Sequence, residues 1–353
     1  MDYKSQLDDL VSVLLKEGGS DLHIAEGRYP VIRVGGFLIP LLKKDLTTNQ
    51  VILGFLDNML VPDNKAIFER DKEVDFAFSF KEKARFRGNV YYRQGQISIA
   101  LRLIPQKIRT FAELRLPKTL AEFTRRQQGF FLIVGPVGHG KTTTLAAMIE
   151  MINQERAEHI VTVEDPIEYI FEPKKSIIDQ REIRSDTKDF ATGLMNMFRE
   201  DVDVIMVGEM RGRDTMATAV TAAETGHLVF STLHTNNAAQ TIDRIIDTFP
   251  ADQQEQIRIQ LAGSLIGIFS QRLIPRVSGG LVPAFELLIS NAAVANLIRE
   301  SRAHELSMVI ETGMDQGMID INRSLVDLVR QGEITVENAY QYSMNPKSLE
   351  KFL

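Results

Sequence analysis

Residues 135–142 read Gly-Pro-Val-Gly-His-Gly-Lys-Thr, between the apolar run 130–134 and a segment in which Leu145, Met148, Ile149 and Ile152 recur at helical spacing. A strand feeding a glycine-rich turn that opens a helix is the context in which G-x-x-x-x-G-K-T binds phosphate. The glycines let successive backbone N–H groups wrap an anion, and the helix N-terminus adds positive potential. Gly135, Pro136, Val137, Gly138, His139 and Gly140 form the loop, Lys141 is set to reach β- and γ-phosphates, Thr142 to hold Mg²⁺, and Thr143 follows as a further nucleotide-binding candidate. His139 either approaches the phosphates or points outward, because the backbone does the cradling. A turn that binds nothing is the bland alternative, and the strand before and the helix after argue against it. The chain is read as binding ATP.

The alternation continues through HIVTV (159–163), a helix bearing Phe190, Leu194, Met197 and Phe198, then VIMVG (204–208), an Ala-rich helix at 213–225 and LVFSTL (228–233). Continuous apolar strands between helices mark an α/β fold with a parallel sheet covered on both sides. The last seventy residues read as helical. The first hundred read differently, as short strands at 21–24, 31–34 and 74–80, a longer pair around Gly95, and helices at 7–15 and 51–60. With 353 residues, two domains are expected. These are an N-terminal α+β domain over 1–104, a linker over 105–115, and a P-loop ATPase domain over 116–353 with a helical C-terminal part.

The pair around Gly95 is specific enough to fix a register. A two-residue loop at Gln94-Gly95 pairs positions whose numbers sum to 189. Phe86, Val90 and Tyr92 then face the core with Ile97, Ile99 and Leu103, while Arg87 lies opposite Arg102 on the polar face, flanked by Arg85 and Arg93. Like charges directly across strands are unfavourable, so the two arginines either share an anion or splay apart as a solvated basic face. The formal charge is -6 overall, yet residues 1–110 carry 17 Lys and Arg against 14 Asp and Glu, and the remainder 24 against 33. Cations mixed with aromatics at 85–93 leave a nucleic-acid translocase as an alternative; the inward register of Phe86 and Tyr92 and the acidic second domain weigh against it.

Several classes fall away on composition. The chain has no cysteine, which excludes disulfides, thiolate catalysis and Cys-ligated zinc. Charged residues interrupt every apolar stretch before about 18 residues, so no span is expected, and the acidic start MDYKSQLDDL does not suit a signal peptide. A cytoplasmic protein is expected.

A phosphate loop needs carboxylates for the metal and for water. VTVEDPIEY (161–169) ends a strand at Glu164-Asp165 with Glu168 just beyond, and DVIMVGE (203–209) delivers Glu209 to the same carboxyl edge, where ligands sit in open α/β sheets. His234 follows the strand 228–233 and is the candidate to sense a γ-phosphate. His227 precedes that strand and is carried as a nucleotide-binding candidate of less defined role. Structural roles are expected for His23, His159 and His304.

Together GPVGHGKTTT, VTVEDPIEY, DVIMVGEMR and TGHLVFSTLHTN resemble the Walker A, Asp box, Walker B and His box of the secretion-superfamily ATPases. GGSDLHI (18–24), RFRGN (85–89), FPADQQ (249–254) and QRLIP (271–275) also resemble that family, and AVANLIRE (293–300) is similar to a motif of its type IV pilus retraction branch. The resemblance implies a RecA-like ATPase domain behind a PAS-like N-terminal domain, assembled as a homo-hexamer that retracts type IV pili for twitching motility. It assigns Lys141 and Thr142 to phosphates and Mg²⁺, Glu168 to activating water and Glu209 to the metal, and it makes Arg87 and Arg102 arginine fingers toward the γ-phosphate, from the same or a neighbouring subunit. Implied partners are an inner-membrane platform protein at the pilus base and paralogous pilus ATPases, with no nucleic acid and no insertion into the membrane. An accessory paralogue of the main motor and a nucleotide-gated regulatory module remain open. His139 for Ser, FREDVDV (198–204), Gly212-Arg213-Asp214 and Ala295 depart from the family's usual residues without removing a catalytic group.

Overall fold

The computed structural model describes residues 2–81, 84–104 and 107–352. Pro105 and Gln106 of the expected linker lie outside the described residues, as do Glu82 and Lys83 of the basic segment. The chain divides into two compact units, Met1–Lys107 with Pro166–Ile170, and Ile108–Asp165 with Phe171–Leu353.

The first unit runs α1 (Tyr3–Lys16), β1 (Asp21–Ala25), β2 (Val31–Val34), β3 (Phe37–Pro40), α2 (Asn49–Met59), α3 (Pro62–Asp71), β4 (Glu73–Phe80), β5 (Ala84–Arg93) and β6 (Gln96–Ile104). Asp2 caps α1 by accepting the Ser5 N–H at 3.0 Å, and Leu7, Leu10, Val11 and Leu14 form its buried stripe. That stripe joins Ile52, Phe55 and Leu56 of α2 in a core over an antiparallel sheet of order β3-β2-β1-β6-β5-β4. This unit is the smaller α+β, PAS-like domain.

The register of β5 and β6 follows from their turn. Gln94 and Gly95 take φ of 50° and 77°, the left-handed pair a type I′ turn requires. Phe86 accordingly faces Leu103, Arg87 faces Arg102 and Val90 faces Ile99. Tyr92 corrects the expected apolar face: it is 41% exposed and stacks on Phe68 of α3 at 5.1 Å. It lies next to the turn, where it meets the rim of the sheet rather than the core. With Phe86 buried and Tyr92 stacked on protein, neither ring is a free platform for a nucleic-acid base.

The second unit opens with short helices α4 (Phe111–Leu114) and α5 (Leu120–Thr124). It continues through β7 (Gly129–Val134), α6 (Lys141–Glu155), β8 (His159–Glu164), β9 (Ile177–Glu182), α7 (Phe190–Met197), β10 (Val204–Val207), α8 (Arg213–Glu224) and β11 (Leu228–Leu233). Then come α9 (Ala238–Asp247), α10 (Ala251–Ser264), β12 (Leu265–Pro275), β13 (Leu281–Ile289), α11 (Ala292–Arg299), α12 (Leu306–Thr312), α13 (Ile321–Arg330), α14 (Val336–Tyr342) and α15 (Pro346–Leu349). The seven-stranded sheet has the order β13-β12-β7-β11-β10-β8-β9, parallel except where β13 runs against β12. Strands β7, β10 and β11 are buried along their whole length because helices cover both faces.

This is the RecA-like P-loop ATPase domain. Strands β3, β9, β12 and β13 and helices α3, α4, α5, α9 and α10 are additions to the expected elements, and β13 corrects the reading of the last seventy residues as helical. Strand β12 follows α10 with no turn residues between Ser264 and Leu265, so no local signal separates helix from strand. Among the described residues no helix is long and apolar enough to cross a membrane.

Candidate functional site

The sheet places four loops at one edge, and the first of them is the glycine-rich turn after β7. Gly135, Gly138 and Gly140 have φ of 144°, 80° and 79°, conformations L side chains rarely adopt. A Cβ on Gly135 would also lie 2.3 Å from the Gln271 carbonyl oxygen. Gly140 is the N-cap of the 15-residue α6 and no side chain caps that end, which leaves its first-turn amides directed at the loop. Thr142 and Thr143 stand half-buried on this first turn. Val137, at the loop's tip, is 79% exposed.

Lys141 is buried, and its Nζ donates to the carbonyls of Gly135 at 2.8 Å and Pro136 at 2.9 Å. His234 Nδ1 lies 3.2 Å from the same Nζ, and His234 Nε2 lies 3.3 Å from Glu209 Oε2. One tautomer satisfies both contacts: Nδ1 accepts from the ammonium while Nε2–H donates to the carboxylate. Sequence reasoning singled out all three side chains but not their arrangement as a chain. Glu209 also pairs with Arg211 at 2.5 Å. The exits of β10 and β11 are pinned by Ser231 Oγ to the Val207 carbonyl at 2.9 Å and Thr232 Oγ1 to the Gly208 carbonyl at 2.6 Å.

His139 points outward. Its Nδ1 accepts the Leu273 N–H at 2.8 Å, and burial, with help from the nearby Arg272 and Lys141 charges, holds its imidazole below the ordinary range. His227 is not brought to the loop. It stands at the amino end of β11, a strand length of about 20 Å from the carboxyl edge. There its Nδ1 sits 3.0 Å from the Ala222 carbonyl and its ring packs edge-on against Phe198. In the Asp box, Glu164 is buried and accepts from Thr162 Oγ1 at 2.8 Å and Gln180 Nε2 at 3.1 Å, while Asp165 lies 3.8 Å from Arg184.

A second cluster occupies the polar face of the N-terminal sheet, around a cavity of about 380 Å³. It holds Arg87, Arg102, Asp21 and Glu168, the last because the segment Pro166–Ile170 packs with this unit. Arg102 Nε donates to Asp21 Oδ1 at 2.9 Å, and Arg87 Nη1 lies 3.7 Å from Glu168 Oε1. Burial works to raise the Asp21 carboxyl, but the Ser20 hydroxyl and the Arg102 guanidinium outweigh it and hold the group below its ordinary range. The facing arginines therefore do not depend on one shared anion, as their register suggested: each has its own carboxylate.

The donor set suits a nucleoside triphosphate with its metal. Loop amides and Lys141 match phosphate, and Thr142 and Glu209 offer the hard oxygen donors that Mg²⁺ takes. No group of three or more His, Asp or Glu able to hold a metal by themselves occurs among the described residues. The model of a family described as type II/IV secretion system protein matches residues 3–311. The chain belongs to the type II/IV secretion system protein family. It is 41% identical to the type IV pilus retraction ATPase PilT of Pseudomonas aeruginosa over 97% of this chain and 99% of that one. It is 38% identical to the type IV pilus ATPase PilU of the same organism over 98% of this chain and 90% of that one. A crystal structure of the pilus retraction motor PilT with bound ADP superposes with a TM-score of 0.90 at 44% identity, covering 98% of each chain.

This member of the secretion family carries one further polar group beside the loop that holds His234. Glu286 on β13 is buried and accepts the Ala238 N–H at the start of α9 at 2.9 Å. Burial pushes its carboxyl up to about 7, against the Ala238 hydrogen bond and with Asp320 adding to the rise. A carboxyl raised in the fold gives stability that is complete below its ordinary value near 4.5 and is lost as pH rises through about 7. Glu286→Gln, neutral throughout, is expected to match the wild type at low pH and to exceed it in Tm above pH 7. Thermal melts of both proteins across that window check this, and parallel curves would refute it.

Proposed function

We propose that this chain is the ATP-hydrolysing motor that retracts type IV pili, working as a homo-hexameric ring on the cytoplasmic side of an inner-membrane platform protein. The full-length likeness to a pilus retraction ATPase carries the reading, and the Lys141–His234–Glu209 chain beside an intact phosphate loop supports it. The domains are proposed as 1–104, a linker over 105–115, and an ATPase domain over 116–353.

In the proposed cycle the loop amides and Lys141 hold the β- and γ-phosphates, with His234 beside them to register the γ-phosphate. Mg²⁺ held through Thr142 and Glu209 would neutralise charge on the phosphate oxygens. Glu168 orients and deprotonates the attacking water, and Arg87 meets the charge that develops on the γ-phosphate. Glu168 and Arg87 belong to one compact unit. An accessory retraction ATPase is the second reading, supported by the likeness to PilU over nearly the whole chain.

Deleting the gene is expected to leave cells whose pili persist and do not retract. Restoration by the wild-type gene and not by Lys141→Ala supports the motor; retraction in the Lys141→Ala strain refutes it. Retraction that persists after deletion and is lost only when a paralogue is also removed favours the accessory role. Glu168→Gln is expected to keep ATP bound while slowing turnover by about two to four orders of magnitude, as single-turnover phosphate release would read. Lost binding with normal single-turnover chemistry would instead make Glu168 a structural or metal residue and Glu209 the candidate base. Finally, Arg87→Ala subunits mixed with Lys141→Ala subunits are expected to regain ATPase activity above either alone, because an arginine acting in trans completes some sites; flat activity across all ratios places Arg87 in its own subunit's site.

A further inference from the structure

Strand β12 runs beside β7 with Ser270 opposite Val134, so its next residues flank the phosphate loop. Gln271 is 3% exposed and uses both ends of its amide. Its Nε2 donates to the His139 carbonyl at 2.8 Å, and its Oε1 accepts from the Thr144 hydroxyl at 2.6 Å. Two residues on, the Leu273 N–H donates to His139 Nδ1 at 2.8 Å. The Gln271 carbonyl is also the group that a side chain at position 135 would strike. One short stretch of β12 thus touches the loop at its entry, at its middle and at the first turn of α6.

These contacts join positions more than 120 residues apart. A glycine-rich loop gains its freedom at an entropic cost, so the shape that converges its amides has to be imposed. Removing the Gln271 amide would leave the His139 carbonyl and the Thr144 hydroxyl without these partners, both close to the loop. His139 can accept from Leu273 only when Nδ1 is unprotonated, and burial together with Arg272 and Lys141 favours that neutral form. The alternate residues of β12 hold the neighbouring loop: Ser270 Oγ donates to the Asn236 carbonyl at 2.8 Å, two residues beyond His234.

We propose that Gln271, from outside the motif, and His139, from within it, are positioning residues that shape the phosphate loop. The proposal deepens the nucleotide-binding reading and rests on it for its kinetic consequences; the brace itself can be measured without nucleotide.

The test uses the full chain with Gln271→Met, which keeps volume and loses both hydrogen bonds, and Thr144→Val, which removes one of them. Both are expected to raise KM for ATP, about tenfold for Gln271→Met, with kcat within about twofold, since the loop binds ground and transition state alike. His139→Ala is expected to behave similarly, and His139→Asn, whose Oδ1 can accept from Leu273, to recover part of the loss. Amide hydrogen exchange of residues 137–141 in the nucleotide-free protein is expected to quicken in Gln271→Met while exchange in β10 stays unchanged. A purely structural role would lower Tm and the active fraction at constant KM. Unchanged KM with unchanged loop exchange overturns the proposal. If the wild type fails to bind or hydrolyse ATP, the nucleotide reading fails, while loop exchange still decides whether the brace exists.

Discussion

A buried ammonium has to be satisfied from every side, and Lys141 satisfies its own with the loop it belongs to and the strand end next to it. Two loop carbonyls take two of its protons, and His234 takes the third contact before passing polarity on to Glu209. The ends of β7, β10 and β11 therefore converge on one charge. That convergence is possible only because the three strands are parallel neighbours in the order β7-β11-β10, with their carboxyl ends at one edge. Phosphate would compete for contacts that Lys141 and His234 already make, so an incoming nucleotide exchanges partners within the cluster instead of charging an apolar pocket.

The legible parts of the sequence were those in which a local rule fixes geometry. Three glycines with a following Lys-Thr specify the loop because their φ values admit little else, and Gln94-Gly95 specifies a hairpin because a two-residue turn leaves one register. Helix α1 was legible because Leu7, Leu10, Val11 and Leu14 keep strict helical spacing. Strand β3 was not, because Phe37–Pro40 is exposed throughout and shows no alternation. Strands β12 and β13 were missed for the opposite reason: β12 is buried on both faces for most of its length and follows a helix without punctuation.

Long-range partners were the least legible of all. Sequence spacing identifies Lys141, His234 and Glu209 one at a time, since each ends or follows a strand, but the pairing that sets the imidazole tautomer appears only in three dimensions. Gln271 lies within a stretch that resembles the family pattern, yet no chemistry of its own marks it, because an amide becomes informative only through its partners. His227 shows the converse. A histidine close in sequence to a functional strand invites a role, and only the fold shows that it stands at the far end of a six-residue strand against the Ala222 carbonyl.

The two facing arginines carry the last distinction. Asp21 is buried and takes hydrogen bonds from Ser20 and Arg102, with Arg33 at 3.9 Å, so the charge on Arg102 is answered by a carboxylate fixed in the sheet. Among the described residues, Arg87 has a 3.7 Å contact to Glu168 as its ion pair, in which both side chains are more than a third exposed. Exposed pairs of that kind contribute about 1 kcal/mol or less, and salt screens them further. Cross-strand repulsion is thereby relieved on one side by a firm partner and on the other by a partner easily exchanged. Of the pair, Arg87 is the side chain whose partner is the more easily exchanged.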